Sequence, residues 1–271
     1  MNKNTDSIAS ADVQATDTLL SVKDVSVHFG GIVALDGVSF DIPSGQIVGL
    51  IGPNGAGKTT LFNCISRLYD VNGGDILFRG KSILKSPVHK MSSIGLGRTF
   101  QNLALFTNLT VLDNIMIGGH SKGKSDYLSN ALHLPWIKRE EKELRHQALE
   151  VLRFMELENT ALQRIGDLPF GVQKRLEIAR ALLSNPKLLL MDEPAGGLNH
   201  NELSLLVNTI RRIRDEFGTT VLLVEHHMGL VMEVSEKVVA LSFGRKLAEG
   251  PPSAIQQHPD VIEAYLGTGK K

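Results

Sequence analysis

Apolar residues between Leu19 and Ile42 fall on alternate positions: Leu20 and Val22, then Val25, Val27 and Phe29, then Val33 and Leu35, then Val38, Phe40 and Ile42. A period of two buries one face of a strand and wets the other. Gly30-Gly31 and Asp36-Gly37 interrupt the alternation with turn signals, so the stretch predicts an antiparallel sheet. Three later runs have a different texture. Gln46 to Ile51, Lys187 to Met191 and Val221 to Val224 are nearly continuous in apolar residues, as parallel strands covered on both faces are. Helical spacing separates them: Leu61, Ile65 and Leu68 after the first, Leu176, Ala179 and Leu183 before the second, and Leu203, Leu206, Ile210, Ile213 and Phe217 before the third. This alternation predicts right-handed crossovers and a doubly wound, mainly parallel sheet. Asn72-Gly-Gly74 reads as a turn into a strand at 75–78, two last strands flank Phe243-Gly244-Arg245, and 254–266 reads as one closing helix.

Between 102 and 166 the pattern breaks from that alternation. Leu103, Leu105, Phe106, Leu109, Val111 and Leu112 lead into it, and a charged run from Glu140 to Leu157 keeps Leu144, Ala148, Val151, Leu152 and Met155 on one side. A Gly-, Ser- and Lys-rich connection at 120–130 joins the two. The segment is therefore expected to form a helical subdomain inserted into an α/β core made of 19–101 and 167–253. Residues 1–18 read as a disordered tail, and 254–267 as the C-terminal helix.

The stretch Gly52-Pro-Asn-Gly-Ala-Gly-Lys-Thr-Thr60 lies between the first apolar strand and the first helix. That is the setting of a phosphate-binding loop. Glycines at 52, 55 and 57 let the backbone curl with its N–H groups inward, and the helix start adds its positive dipole end. Lys58 would reach the β- and γ-phosphates of a nucleotide and the Thr59 hydroxyl would bind Mg²⁺. The second and third apolar strands end in Asp192-Glu193 and Glu225-His226-His227, on the edge of the sheet where the loop emerges. Phe29, at a strand end before a turn, has two uses open to it: stacking on an adenine face, or packing inside the sheet.

Composition narrows the class without changing the chemistry. The 271 residues are 42% hydrophobic and 21% charged, with 29 basic and 29 acidic side chains. No global field favours nucleic acid or an anionic membrane. The one cysteine, Cys64, follows the loop on its helix and reads as a buried structural thiol. The first eighteen residues have no secretory pattern, and no run of about eighteen apolar residues is present to span a bilayer.

Taken in order, Phe29, the loop at 52–60, Gln101, a Leu168-Pro-Phe-Gly-Val-Gln173 stretch, Asp192-Glu193, Ala195-Gly-Gly-Leu-Asn199 and His226 resemble the ATP-binding subunits of ABC transporters over 19–267. Phe29-Gly-Gly-Ile-Val-Ala-Leu35, Arg98-Thr-Phe-Gln-Asn102, Val224-Glu-His-His-Met228 and the ending Glu263-Ala-Tyr-Leu-Gly267 are similar to the branch that imports branched-chain or other hydrophobic amino acids. The resemblance implies a phosphate-loop ATPase core with an N-terminal antiparallel β subdomain and the inserted helical one. It places ATP against Phe29, Gly52, Asn54, Gly55, Ala56, Gly57, Lys58, Thr59 and Thr60, with Gly171 serving the nucleotide of an opposing subunit. It gives Mg²⁺ to Thr59, Gln101 and Asp192, and catalysis to Glu193, His226 and Gln101, with Glu193 activating water. The implied partners are integral membrane permease subunits, a second homologous ATPase and, indirectly, an extracytoplasmic binding protein, at the cytoplasmic face of the membrane; nucleic acid is not among them. An exporter ATPase for lipid or lipopolysaccharide, or a non-transport ABC ATPase, is the alternative. Two departures stand out. The loop after Glu193 ends in Asn199 where most ABC subunits have aspartate, and the signature's usual serine is Pro169, which has neither hydroxyl nor N–H; the proline either makes for unequal sites in a heterodimer or simply initiates the signature helix.

Overall fold

The computed structural model describes residues 17–99, 103–119 and 135–266. The alternating stretch forms two long antiparallel strands, β1 (Thr18–Phe29) and β2 (Ile32–Pro43). The first begins at Thr18, one residue inside the expected tail, and residues 1–16 of that tail lie outside the described residues. Asp36-Gly37 makes no turn. Val25 pairs with Val38 but Val27 with Leu35, so the two residues form a bulge inside β2, with Gly37 at φ 64°. A glycine accepts the left-handed conformation a bulge asks for.

β3 (Ile47–Ile51) runs into the glycine-rich loop, and α1 (Lys58–Ile65) leaves it. β4 (Gly73–Phe78) and β5 (Lys81–Ser82) complete a four-stranded antiparallel sheet in the order β2-β1-β4-β5. After α2 (Met91–Ile94) comes β6 (Leu96–Arg98), a three-residue strand that the apolar pattern did not announce. The helical lobe follows with α3 (Val111–Gly118) and α4 (Pro135–Phe154), and the chain returns through α5 (Phe170–Leu183). β7 (Leu188–Asp192), α6 (His200–Phe217), β8 (Thr220–Val224), α7 (Met228–Val234), β9 (Lys237–Ser242) and β10 (Arg245–Gly250) finish the core. The second sheet runs β10-β9-β3-β8-β7-β6, parallel throughout except for the edge strand β10.

Alternate residues of those strands face two separate cores. Ile47, Ile51, Leu189, Met191, Val221 and Leu223 pack with the helices of the lobe and with α6 and α7. Val48, Leu50, Leu188, Leu190, Leu222 and Val224 pack with α1 and with the antiparallel sheet. Both faces are thus covered, and every residue of β3, β7 and β8 is buried. This is why those strands read as unbroken apolar runs rather than alternating ones.

α5 packs on α3 and α4 of the lobe and also on β6 of the parallel sheet. A Cβ on Gly118 would lie 2.1 Å from the Arg180 carbonyl, so only glycine lets α3 approach that closely. Arg175 donates to the Met155 carbonyl and Arg180 to that of Ala104, fastening α5 to both ends of the lobe. The closing helix is two helices, α8 (Pro252–Gln256) and α9 (Pro259–Leu266). Pro259 cannot continue a helix and biases His258 away from helical geometry, so the chain breaks there and restarts. Among the described residues no helix is long and apolar enough to cross a membrane.

Candidate functional site

Four chain segments meet at the carboxyl edge of the parallel sheet. The first is the loop at 52–57. Gly52 has φ 152° and a Cβ there would lie 2.3 Å from the Leu241 carbonyl, so the loop leaves β3 through a space only glycine fits. Gly55 (φ 79°) and Gly57 (φ 98°) hold the left-handed backbone that turns the chain back. Ala56 is buried and its carbonyl accepts from Gly244 at 3.0 Å, which ties the loop to the β9–β10 hairpin. α1 starts at Lys58 with no side-chain cap and no acidic residue in its first turn. Its first N–H groups therefore form a site for an anion. Asn54 and Thr59 are exposed and Thr60 half-buried beside it.

Lys58 is folded into this loop, with Nζ donating to the Gly52 carbonyl at 2.6 Å and to that of Pro53 at 3.0 Å. Burial lowers its pKa, and the nearby carboxylates of Glu193 and Asp192 oppose that shift. The second segment is the end of β7. Asp192 is almost fully buried, and burial raises its pKa against the pull of the Arg98 guanidinium, which lies 3.2 Å away. Glu193 follows in the left-handed region at φ 46°, held there by its N–H bond to the Val224 carbonyl at 2.9 Å. Such a backbone is uncommon for a residue with a Cβ and turns the carboxylate out of the sheet. The third segment is the end of β8. His226 Nδ1 lies 3.7 Å from Glu193 Oε2, and both side chains are reachable by solvent. The fourth, β6, delivers Arg98 and Thr99, whose hydroxyl accepts from the Asp192 amide at 3.4 Å. Gln101 lies outside the described residues.

Phe29 is 46% exposed, so core packing is excluded; its ring meets Tyr69 edge-on at 5.4 Å. Gly171 sits buried in the first turn of α5, where an added Cβ would lie 2.1 Å from Glu202 Oε1. Pro169 takes the N-cap position, and its carbonyl accepts from Val172 at 3.0 Å and Gln173 at 3.1 Å. A cavity of about 250 Å³, lined by Leu68, Met91, Leu96, Arg98, Gly118 and Arg180, opens between the core and the lobe.

An ABC transporter family profile matches residues 35–196, more than half of the chain, and one described as a branched-chain amino acid ATP-binding cassette transporter matches 245–271. The chain belongs to the ABC transporter family. Over 249 residues, 92% of this cassette and 98% of the relative, it is 41% identical to the high-affinity branched-chain amino acid transport ATP-binding protein BraF of Pseudomonas aeruginosa. Identity to LivG of Escherichia coli, with the same role in its name, is 40% over the same shares. A nucleotide-free ATP-binding cassette of an ABC transporter superposes with a TM-score of 0.80 at 31% identity, covering 92% of this chain and 99% of that one. The ADP conformation of such a cassette gives 0.80 at 30% identity and the same coverage. The cassette is thus a nucleotide-binding ATPase on a fold in which hydrolysis drives transport.

Two contributors to the cassette's site, Arg98 and Glu225, were given no role from sequence. Arg98 links Asp192 to α1, donating to Asn63 at 2.8 Å and to Ser66 at 2.6 Å. Glu225 is fully buried, and its carboxylate accepts from Ala195 at 2.7 Å and from His226 at 3.1 Å, so one side chain positions both the loop after Glu193 and the histidine. A charged residue at the end of an apolar strand was the available signal for it. His227 caps α7 through Nδ1, which accepts from Leu230 at 3.3 Å. The two adjacent histidines thus divide into one that faces Glu193 and one that caps the start of a helix.

Proposed function

We propose that this cassette is the ATP-hydrolysing motor of an importer for branched-chain or other hydrophobic amino acids. The observation that carries the reading is the convergence of Lys58, Asp192, Glu193 and His226 from three strands on one glycine-rich loop. In that reading the loop amides and Lys58 hold the phosphates, and Phe29 with its neighbour Tyr69 stacks on the adenine. Glu193 takes a proton from water as its oxygen attacks the γ-phosphorus; the bond to the departing ADP oxygen breaks, and His226 donates a hydrogen bond to the γ-phosphate. The oxygen donors of Thr59 and Asp192 suit Mg²⁺, which when bound would neutralise charge on the β- and γ-phosphates. Gln101 would serve the same metal and the attacking water.

Gly171 at the head of α5 would meet the ATP of an opposing subunit, and the loss of a hydroxyl at Pro169 favours a second, related ATPase as that subunit. Membrane permease subunits would dock where the lobe meets the core, near the exposed Phe106 and Leu109, and an extracytoplasmic binding protein would supply the amino acid. The motor would then sit at the cytoplasmic face of the membrane. Glu193→Gln tests the chemistry. ATP binding is expected to survive while turnover falls by about two orders of magnitude or more; unchanged phosphate release would move the base elsewhere. Binding assays on the binding protein associated with the copurified transporter test the substrate.

A further inference from the structure

The ending Glu263-Ala-Tyr-Leu-Gly267 has no part in the phosphate chemistry above, yet its tyrosine reaches the loop. The Gly52 amide donates to the Tyr265 hydroxyl oxygen at 2.7 Å. This bond closes a gap in the sheet. β3 pairs with β8 as far as Leu50 and with β9 as far as Ile51, so strand partners run out one residue before the loop begins. Gly52 is buried, and a buried amide needs a partner.

The same residue is held from every side. Its carbonyl accepts from Lys58 Nζ at 2.6 Å, and its α-carbon faces the Leu241 carbonyl too closely for any side chain. Gly52 is therefore where the C-terminal helix and the phosphate-binding lysine come together. α9 is a firm platform for the hydroxyl, because Val261 and, on α8, Ile255 are anchored in the core. The ring of Tyr265 stays 39% exposed while its oxygen points inward. Burial pushes the phenol pKa up, so the group that accepts from Gly52 is neutral.

We propose that Tyr265 is a positioning residue for the phosphate loop: its hydroxyl, delivered by α9, fixes the Gly52 peptide and so preorganises the cradle without touching the nucleotide. The inference rests on the reading of 52–60 as that cradle. It gives the segment matched by the branched-chain profile a physical task at the nucleotide site.

Tyr265→Phe keeps the ring and removes the acceptor. In the full chain, the Kd for a fluorescent mant-ATP probe is expected to rise about tenfold, as it does when the binding-competent loop falls to roughly a tenth of the population. Turnover at saturating ATP is expected to stay within about twofold, because the hydroxyl contacts no reacting atom. A merely structural tyrosine would lower the melting temperature and leave the Kd of the folded protein alone. An unchanged Kd overturns the inference, and so does a fall in turnover at unchanged Kd. Should Tyr265→Phe not fold, amide exchange in the nucleotide-free wild type decides: protection of Gly52 matching that of the ladder-bonded amides of β3 supports the bond, and exchange well faster than theirs refutes it. Lys58→Ala is measured alongside. Lost binding in Lys58→Ala with intact binding in Tyr265→Phe sinks this inference alone, whereas wild-type binding in Lys58→Ala sinks the cradle and the inference together.

Discussion

Cys64 and Glu193 show how differently one chain treats its reactive groups. Cys64, on α1, is enclosed by the core, and burial pushes its thiol from 9.0 up to about 11. The folded group therefore stays protonated where a free thiol begins to ionise. At pH 8 the thiolate fraction of the native chain is expected to lie about a hundredfold below that of the unfolded chain, and the alkylation rate of the enclosed thiol at least as far below. Iodoacetamide labelling with and without urea checks this, and equal rates would place the thiol in solvent. Glu193 is treated in the opposite way. Its backbone is twisted to φ 46° and its side chain turned toward solvent and His226, a local cost of order 1 kcal/mol that persists because β7 and β8 fix both flanks. Six other described non-glycine residues share this backbone region, Asp24, Arg67, Arg79, Glu156, Asn185 and Phe243; at Glu193 it aims the proposed base.

At the scale of the element, α5 carries the most consequential departure. Pro169 occupies the N-cap, where serine would accept a hydrogen bond from the first turn and contribute about 1 kcal/mol. Proline offsets that by restricting the unfolded chain, worth about 0.4–1 kcal/mol. Pro169→Ser is therefore expected to leave stability within about 0.5 kcal/mol. Any change in nucleotide affinity or ATPase rate of the assembled transporter then reads the restored hydroxyl and backbone N–H, and no change would show that the proline is not limiting. The elements that were legible in sequence share a cause: β3, β7 and β8 are buried on both faces and announce themselves as apolar runs. Those that were not legible lack such a signal. β6 is three residues long with a glycine in the middle, too short for any period. The bulge at Asp36-Gly37 and a hairpin turn use the same residue types, and only the pairing of Val27 with Leu35 separates them. Arg98 and Glu225 act through partners 94 and 30 positions away, Asp192 and Ala195, and distance along the chain hides that kind of contact.

For the whole molecule the open question is what completes the site. The loop of amides, Lys58 and Glu193 lie at the carboxyl edge of the parallel sheet, while Gly171 stands on a helix packed against the lobe and faces Glu202 of its own chain. A carboxylate at the head of α5 is a poor neighbour for a triphosphate, so in the proposed two-subunit reading an arriving subunit would have to complete or clear that end of the helix. With 29 basic and 29 acidic side chains no net charge steers that encounter, and association should follow mass action. The ATPase rate per cassette is thus expected to rise with protein concentration. If the proposed heterodimer is the working form, adding the related second ATPase raises the rate well beyond what the same amount of this chain does. If a homodimer suffices, the two additions are equivalent. A rate per molecule that stays flat across dilution with either addition would mean that one chain encloses its nucleotide alone, and the two-subunit reading of Gly171 would fall.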